Sequence, residues 1–171
     1  MDDKNKNQEI MDDGVTESEV KSDVIQKEVL RGETNKEIKL HTVVENLGLE
    51  IVHQSSNYYD ITLSSADVNR PGLQLAGYLE DFPYLRLQII GSVEYTYLTG
   101  LDSKLQYERF RGILSYKIPA CIFSYNADIN QDILDLADYY DKTLLRSAKK
   151  TTKLISAISD ELEYQLAPRS N

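Results

Sequence analysis

The sequence predicts an α/β fold, a single small domain built from parallel β-α-β units, and three observations carry that reading. The first is a set of short apolar runs rich in β-formers: residues 85–90 (LRLQII), 120–123 (ACIF) and 143–146 (TLLR). The second is that an amphipathic helical pattern follows each of them, at residues 103–116, 128–140 and 151–166. Strand–helix alternation of this kind implies a parallel sheet with right-handed crossovers. The third is size, since 171 residues suffice for one domain with a proper core and not for two.

The elements follow in order from residue 38. Residues 38–40 read as a short strand. Residues 41–48 read as a helix that buries Val43, Val44 and Leu47 and ends at Gly48, a residue suited to a left-handed C-cap. Residues 49–52 and 61–63 give two further short strands. The helix over 103–116 has Leu105, Phe110, Ile113 and Leu114 on one side and Ser103 as its N-cap. In the helix over 128–140, Asp128 is the expected N-cap, with Gln131 at capping-box spacing and Ile129, Ile133, Leu136, Ala137 and Tyr140 as the stripe. The last helix repeats the pattern with Leu154, Ile155, Ile158, Leu162 and Leu166.

Residues 1–37 have a different texture. They carry eleven Asp and Glu against six Lys and Arg, no aromatics and few large apolar side chains. Burial there could hardly offset the entropy of ordering the chain, so a disordered acidic extension is expected. Val20, Val24, Ile25 and Leu30 could line one short helix docked on the body or on a partner. The domain division is therefore 1–37 and 38–169.

Composition narrows the function classes. A net charge of −9 disfavours general nucleic-acid binding, which needs a basic footprint. No run approaches the roughly 20 apolar residues of a membrane helix, and the start lacks an apolar signal region. One cysteine, Cys121, excludes an internal disulfide and suits a reducing cytoplasm. Neither a glycine-rich phosphate loop nor a metal-ligand spacing is present, so no cofactor is expected. Cys121 lies in an apolar run and reads as a buried, inert thiol. His41 and His53 read as capping or surface residues. Glu80 and Asp81 are adjacent and cannot converge as an acid/base pair, so they read as a solvated face.

One segment is not ordinary core. Residues 67–78 (DVNRPGLQLAGY) mix turn-forming, polar and apolar side chains at close spacing. Asn69 or Arg70 could cap a helix whose first residue is Pro71, with Leu73, Leu75 and Ala76 buried and Gly77 as C-cap. At a helix entrance Arg70 would suit an anionic group, either of a ligand or of an acid in this chain or a neighbouring subunit. The candidate ligand or interface residues are Asn69, Arg70 and Tyr78.

That run resembles the N-terminal domain of bacterial HPr kinase/phosphorylase. So do residues 82–91 (FPYLRLQIIG), 115–122 (SYKIPACI) and 151–169 (TTKLISAISDELEYQLAPR), in the family's order. The resemblance implies an α/β module similar to the first domain of the Mur ligases, which add amino acids to the peptidoglycan precursor. In the family this module precedes a kinase domain that phosphorylates and dephosphorylates a serine of HPr, the phosphocarrier of the sugar phosphotransferase system. The family's complete protein is hexameric and serves carbon catabolite repression. Its catalytic residues lie beyond the equivalent of Asn171, so none is carried over and no catalytic, metal or cofactor residue is assigned. The acidic head is unlike the family and favours a natural kinase-less relative over an excised domain.

The expected function is thus a non-catalytic regulatory or interaction module in the cytoplasm. It would self-associate or bind a partner protein such as a kinase domain or HPr, and neither nucleic acid nor membrane. The alternative is part of an ATP-dependent HPr serine kinase/phosphorylase. A weaker third reading puts a small site at the C-terminal strand ends, with Lys117, Asn126 and Arg146.

Overall fold

The computed structural model describes residues 36–168. All but Lys36 and Glu37 of the acidic extension, with its expected disorder and short helix, lie outside the described residues. The elements are β1 (Ile38–Lys39), α1 (Leu40–Leu47), β2 (Glu50–His53), a 3-10 turn (Tyr58–Asp60), β3 (Thr62–Leu63), β4 (Val68–Asn69) and α2 (Gly72–Leu75). They continue as β5 (Leu87–Ile90), α3 (Ser92–Gly100), α4 (Ser103–Leu114), β6 (Cys121–Phe123), α5 (Gln131–Tyr139), β7 (Leu144–Arg146) and α6 (Thr151–Leu166).

The main sheet has five strands in the order β2-β7-β6-β5-β4. Strands β4 to β7 are parallel and neighbours in sequence order, as the β-α-β pattern requires. Strand β2 adds an antiparallel edge with a register shift between Ile51 and His53, so the sheet is mostly rather than wholly parallel. Strands β1 and β3 form a separate antiparallel ladder.

Period-2 alternation divides the strands between two cores. Ile90, Cys121, Phe123 and Leu144 point to one face, where they meet Leu75 of α2, Leu98 of α3, Phe110 and Ile113 of α4 and Ile133 of α5. Leu87, Ile89, Ile122 and Leu145 point to the other, against Val43 and Val44 of α1 and Leu154, Ile158 and Leu162 of α6. One crossover hand applied to strands in spatial sequence places α2 to α5 on the same face. Each fully buried Leu, Ile or Phe contributes about 1.5–3 kcal/mol.

Gly48 caps α1 at φ 63, as expected from its position after Leu47, and Leu49 N–H closes on Val44 O at 3.0 Å. Elsewhere the expectations need correction. Asp102, not Ser103, caps α4, its side chain accepting from Leu105 N–H at 2.9 Å. Asn130, not Asp128, caps α5 and shortens that helix at its start. Pro71 stands before α2 rather than inside it, Leu73 and Ala76 are exposed, and Gln74 is buried with Leu75. Ala76 takes the C-cap position, while Gly77 follows at φ 103 and supplies the left-handed step. Helix α3 and strand β4 were not expected.

Candidate functional site

The segment read as the candidate site forms the C-terminal end of β4 and the entry to α2. Asn69 and Arg70 are adjacent, but the structure commits each to a different polar network. Asn69 Nδ2 donates to Gln88 Oε1 at 2.8 Å and to Gln74 Oε1 at 3.4 Å. Gln88 is wholly buried in β5, and its Nε2 donates to Pro83 O at 3.1 Å and Arg86 O at 2.8 Å. A buried amide left without partners would cost about 1–3 kcal/mol, and here both ends are satisfied. This network pins the long loop before β5 to the end of β4.

Arg70 turns the other way, onto α3. Its Nε and Nη2 donate to Glu94 Oε1 and Oε2 at 2.7 and 2.9 Å, a two-pronged pair across 24 residues of sequence. Glu94 lies in the first turn of α3, where the helix dipole favours a carboxylate. Burial pushes the Glu94 pKa up, but Arg70 and the backbone N–H groups of Glu94 and Gly91 more than offset this and hold it below the ordinary range. The same hydrogen bond raises the Arg70 pKa.

Gly91 is the floor of this joint. A Cβ there would stand 2.6 Å from Arg70 Nη2, 2.9 Å from Glu94 Oε2 and 3.0 Å from Thr151 Cγ2. Thr151, the first residue of α6, in turn bonds Ser124 at the end of β6, oxygen to oxygen at 2.7 Å. Arg70, the start of α3 and the start of α6 therefore meet at one edge of the sheet. Of the two uses foreseen for Arg70, the structure shows the internal acid.

Tyr78 stands at the far end of α2, 53% exposed, beside Gly77 on which the Arg109 guanidinium packs. It presents an aromatic face to solvent.

Of the residues in the third reading, Asn126 follows β6 and Arg146 ends β7, so both lie at the C-terminal edge. Lys117 precedes β6 and lies at the opposite end, which separates it from the other two. Arg146 is held by Glu50 at 2.6 and 3.2 Å and donates to Ala127 O at 2.8 Å. The Cys121 thiol is fully buried, and burial pushes its pKa to about 12, which suppresses the reactive thiolate. His53 Nδ1 lies 2.7 Å from Lys142 O, tying the end of β2 to the turn before β7. Among the described residues no group of His, Cys, Asp and Glu is arranged to hold a metal ion, and no helix is long and apolar enough to cross a membrane.

Glu94 and Gln88 organise this edge, and neither stands out in the sequence as a site residue. A carboxylate three residues after a glycine that ends a strand was the available signal.

Comparison with known proteins extends the picture. Residues 38–162 match the family model described as HPr Serine kinase N terminus. Over 133 residues the chain is 41% identical to the HPr kinase/phosphorylase of Alkaliphilus metalliredigens, covering 78% of this chain and 43% of that one. Against the namesake proteins of a Thermoanaerobacter species and Clostridium acetobutylicum, identity is 38% and 31%, again over 43% of their length. The chain thus spans under half the length of these curated relatives. Among solved structures, the CBS and DRTGG domains of the regulatory region of Clostridium perfringens pyrophosphatase align with a TM-score of 0.51 and 12% identity. That alignment covers 77% of this chain and 51% of that one, and it is a likeness of fold.

Proposed function

Because the chain belongs to the HPr Serine kinase N terminus family, we propose that it is a regulatory and interaction module with no chemistry of its own. The observation that carries this reading is the extent of the match. It covers the part named as the N terminus and 43% of each of the three relatives named above. The polar groups at the C-terminal strand edge support it, because Arg70, Glu94, Asn69 and Gln88 are spent on one another. Under this reading the module works in the cytoplasm, in phosphotransferase-linked carbon catabolite control. It self-associates or binds a protein partner, a kinase domain or HPr, through surfaces such as that around Tyr78. Kinship of the fold with the first domain of the Mur ligases belongs to the same proposal, as does the boundary between an acidic extension at 1–37 and a body at 38–169.

The test uses the purified chain, a separately produced kinase domain and HPr. Sedimentation should show self-association, or titration should show binding to one of the two proteins. A chain that stays monomeric, binds neither, and shows no thermal shift with nucleotides or phosphorylated metabolites would sink the module reading. A second reading, part of an ATP-dependent HPr serine kinase/phosphorylase, is favoured by the greater length of the relatives. A glycine-rich phosphate loop encoded a few dozen codons further along the same reading frame would decide for it.

A further inference from the structure

Among the described residues, two buried side-chain nitrogens have no hydrogen-bond partner, His41 Nδ1 and Arg109 Nη1. His41 still has Glu45 Oε1 at 3.5 Å. Arg109 has no such neighbour. The residues three and four positions away on α4 are Leu105, Gln106, Gly112 and Ile113, none of them acidic. Gln106 is itself engaged, accepting from Asn130 Nδ2 at 3.0 Å. Glu80 and Asp81 are exposed, and among the described residues neither pairs with Arg109.

The guanidinium is nonetheless held in place. A Cβ on Gly77 would stand 2.3 Å from Nη1 and 3.6 Å from Nη2, so Nη1 faces the backbone and Nη2 lies further out. A donor sealed without an acceptor costs stability, and arginine cannot escape by losing its proton.

The C-terminal closure of α2 sets apolar surface beside this cation. Gly77 N–H donates to Gln74 O and Tyr78 N–H to Leu73 O, both at 3.0 Å, the two bonds of a Schellman motif. The motif brings Tyr78 back beside Leu73, and the two are 53% and 66% exposed. Helix α2 carries no charge of its own. Tyrosine and arginine are the residues that binding hot spots favour, and the guanidinium fork matches a carboxylate. A bare anion would leave both apolar side chains uncovered, so the fitting occupant has an apolar part as well.

We propose that Leu73, Tyr78 and Arg109 form a docking site for an exposed segment of a partner protein in which an Asp or Glu adjoins a large apolar side chain. The carboxylate meets the outer edge of the Arg109 guanidinium, and the apolar side chain covers Leu73 and Tyr78. This deepens the interaction-module reading and rests on it.

The test titrates the isotope-labelled full chain with an end-blocked peptide carrying one Asp between leucines, with its Asn counterpart, and with acetate, each followed by amide and arginine side-chain NMR signals. The Asp peptide should move the signals of Leu73, Gly77, Tyr78 and Arg109, and the Asn peptide should bind about tenfold more weakly. Arg109→Met should weaken the Asp peptide by a similar factor and Tyr78→Ala should weaken both peptides. Arg109→Met should also unfold at the parent's urea concentration or higher, because it removes the orphaned donor and keeps an apolar stem. Equal binding of the two peptides, signals that move elsewhere, or acetate acting as strongly as the Asp peptide would overturn the proposal. So would a clear fall in the Arg109→Met midpoint, which would make the arginine a structural prop. If the peptides fail while the sedimentation or titration tests above succeed, this inference falls and the module reading stands.

Discussion

Two arginine–glutamate pairs stand at the C-terminal edge of the same sheet with nearly the same geometry and different surroundings. Arg70 meets Glu94 at 2.7 Å, and Arg146 meets Glu50 at 2.6 Å. Glu94 is 7% exposed, tucked under Gly91 and the start of α6, whereas Glu50 is 53% exposed on an edge strand. Distance alone would rate the pairs equal. What separates them is the cost of losing a partner: a carboxylate in the joint has little room for water to replace its arginine, and one on the edge is open to solvent. The inner pair is therefore a structural tie between β4, α3 and α6, and the outer pair is a surface contact.

The largest effect should come from Arg70→Ala. It leaves the Glu94 carboxylate confined without a counter-charge, and chemical denaturation should show a loss of about 2–3 kcal/mol, less than for a fully buried pair because Arg70 itself is half exposed. Gly91→Ala should follow at about 2 kcal/mol, since the new methyl must push aside the guanidinium, the carboxylate and Thr151 together. If both variants unfold like the parent, the two pairs are alike after all.

Acid tests the inner pair. The folded Glu94 pKa lies below its ordinary value of 4.5, so its contribution is fully present above that value and is lost as pH falls through the folded pKa. Melting followed from pH 6 downward, a range of about three units, should show a decline below about 4.5 that is shallower in Glu94→Gln. Smallest of all, Glu50→Ala should leave the melting temperature within experimental scatter. Arg146→Ala should lower it measurably more, because it also surrenders the bond to Ala127 O. A large loss in Glu50→Ala would refute the ranking.

The same contrast explains what was legible in the sequence. Helix α6 is found at residues 151–166 as expected, because five apolar positions at helical spacing all face one core. Helix α3 is not legible in the sequence because Ser92–Gly100 buries only Glu94 and Leu98 and leaves Val93 and Tyr97 exposed, so it has no apolar stripe. Strand β4 is two residues long and has no period at all. The caps of α4 and α5 shifted because Asp102 and Ser103 are both competent caps, as are Asp128 and Asn130, and only the turn geometry chooses. The acid that meets Arg70 lies in the one helix the pattern missed. Local sequence marks Arg70 as suited to an anion, and only the fold shows that Glu94 is the one it meets.

The proposal that this chain transfers no phosphoryl group is open to a direct measurement. The purified chain is incubated with HPr and radiolabelled ATP, alone and beside a complete HPr kinase/phosphorylase as positive control. Labelled HPr is expected in the control and none above background with the chain alone. Label that accumulates on HPr in proportion to the amount of chain added would contradict it.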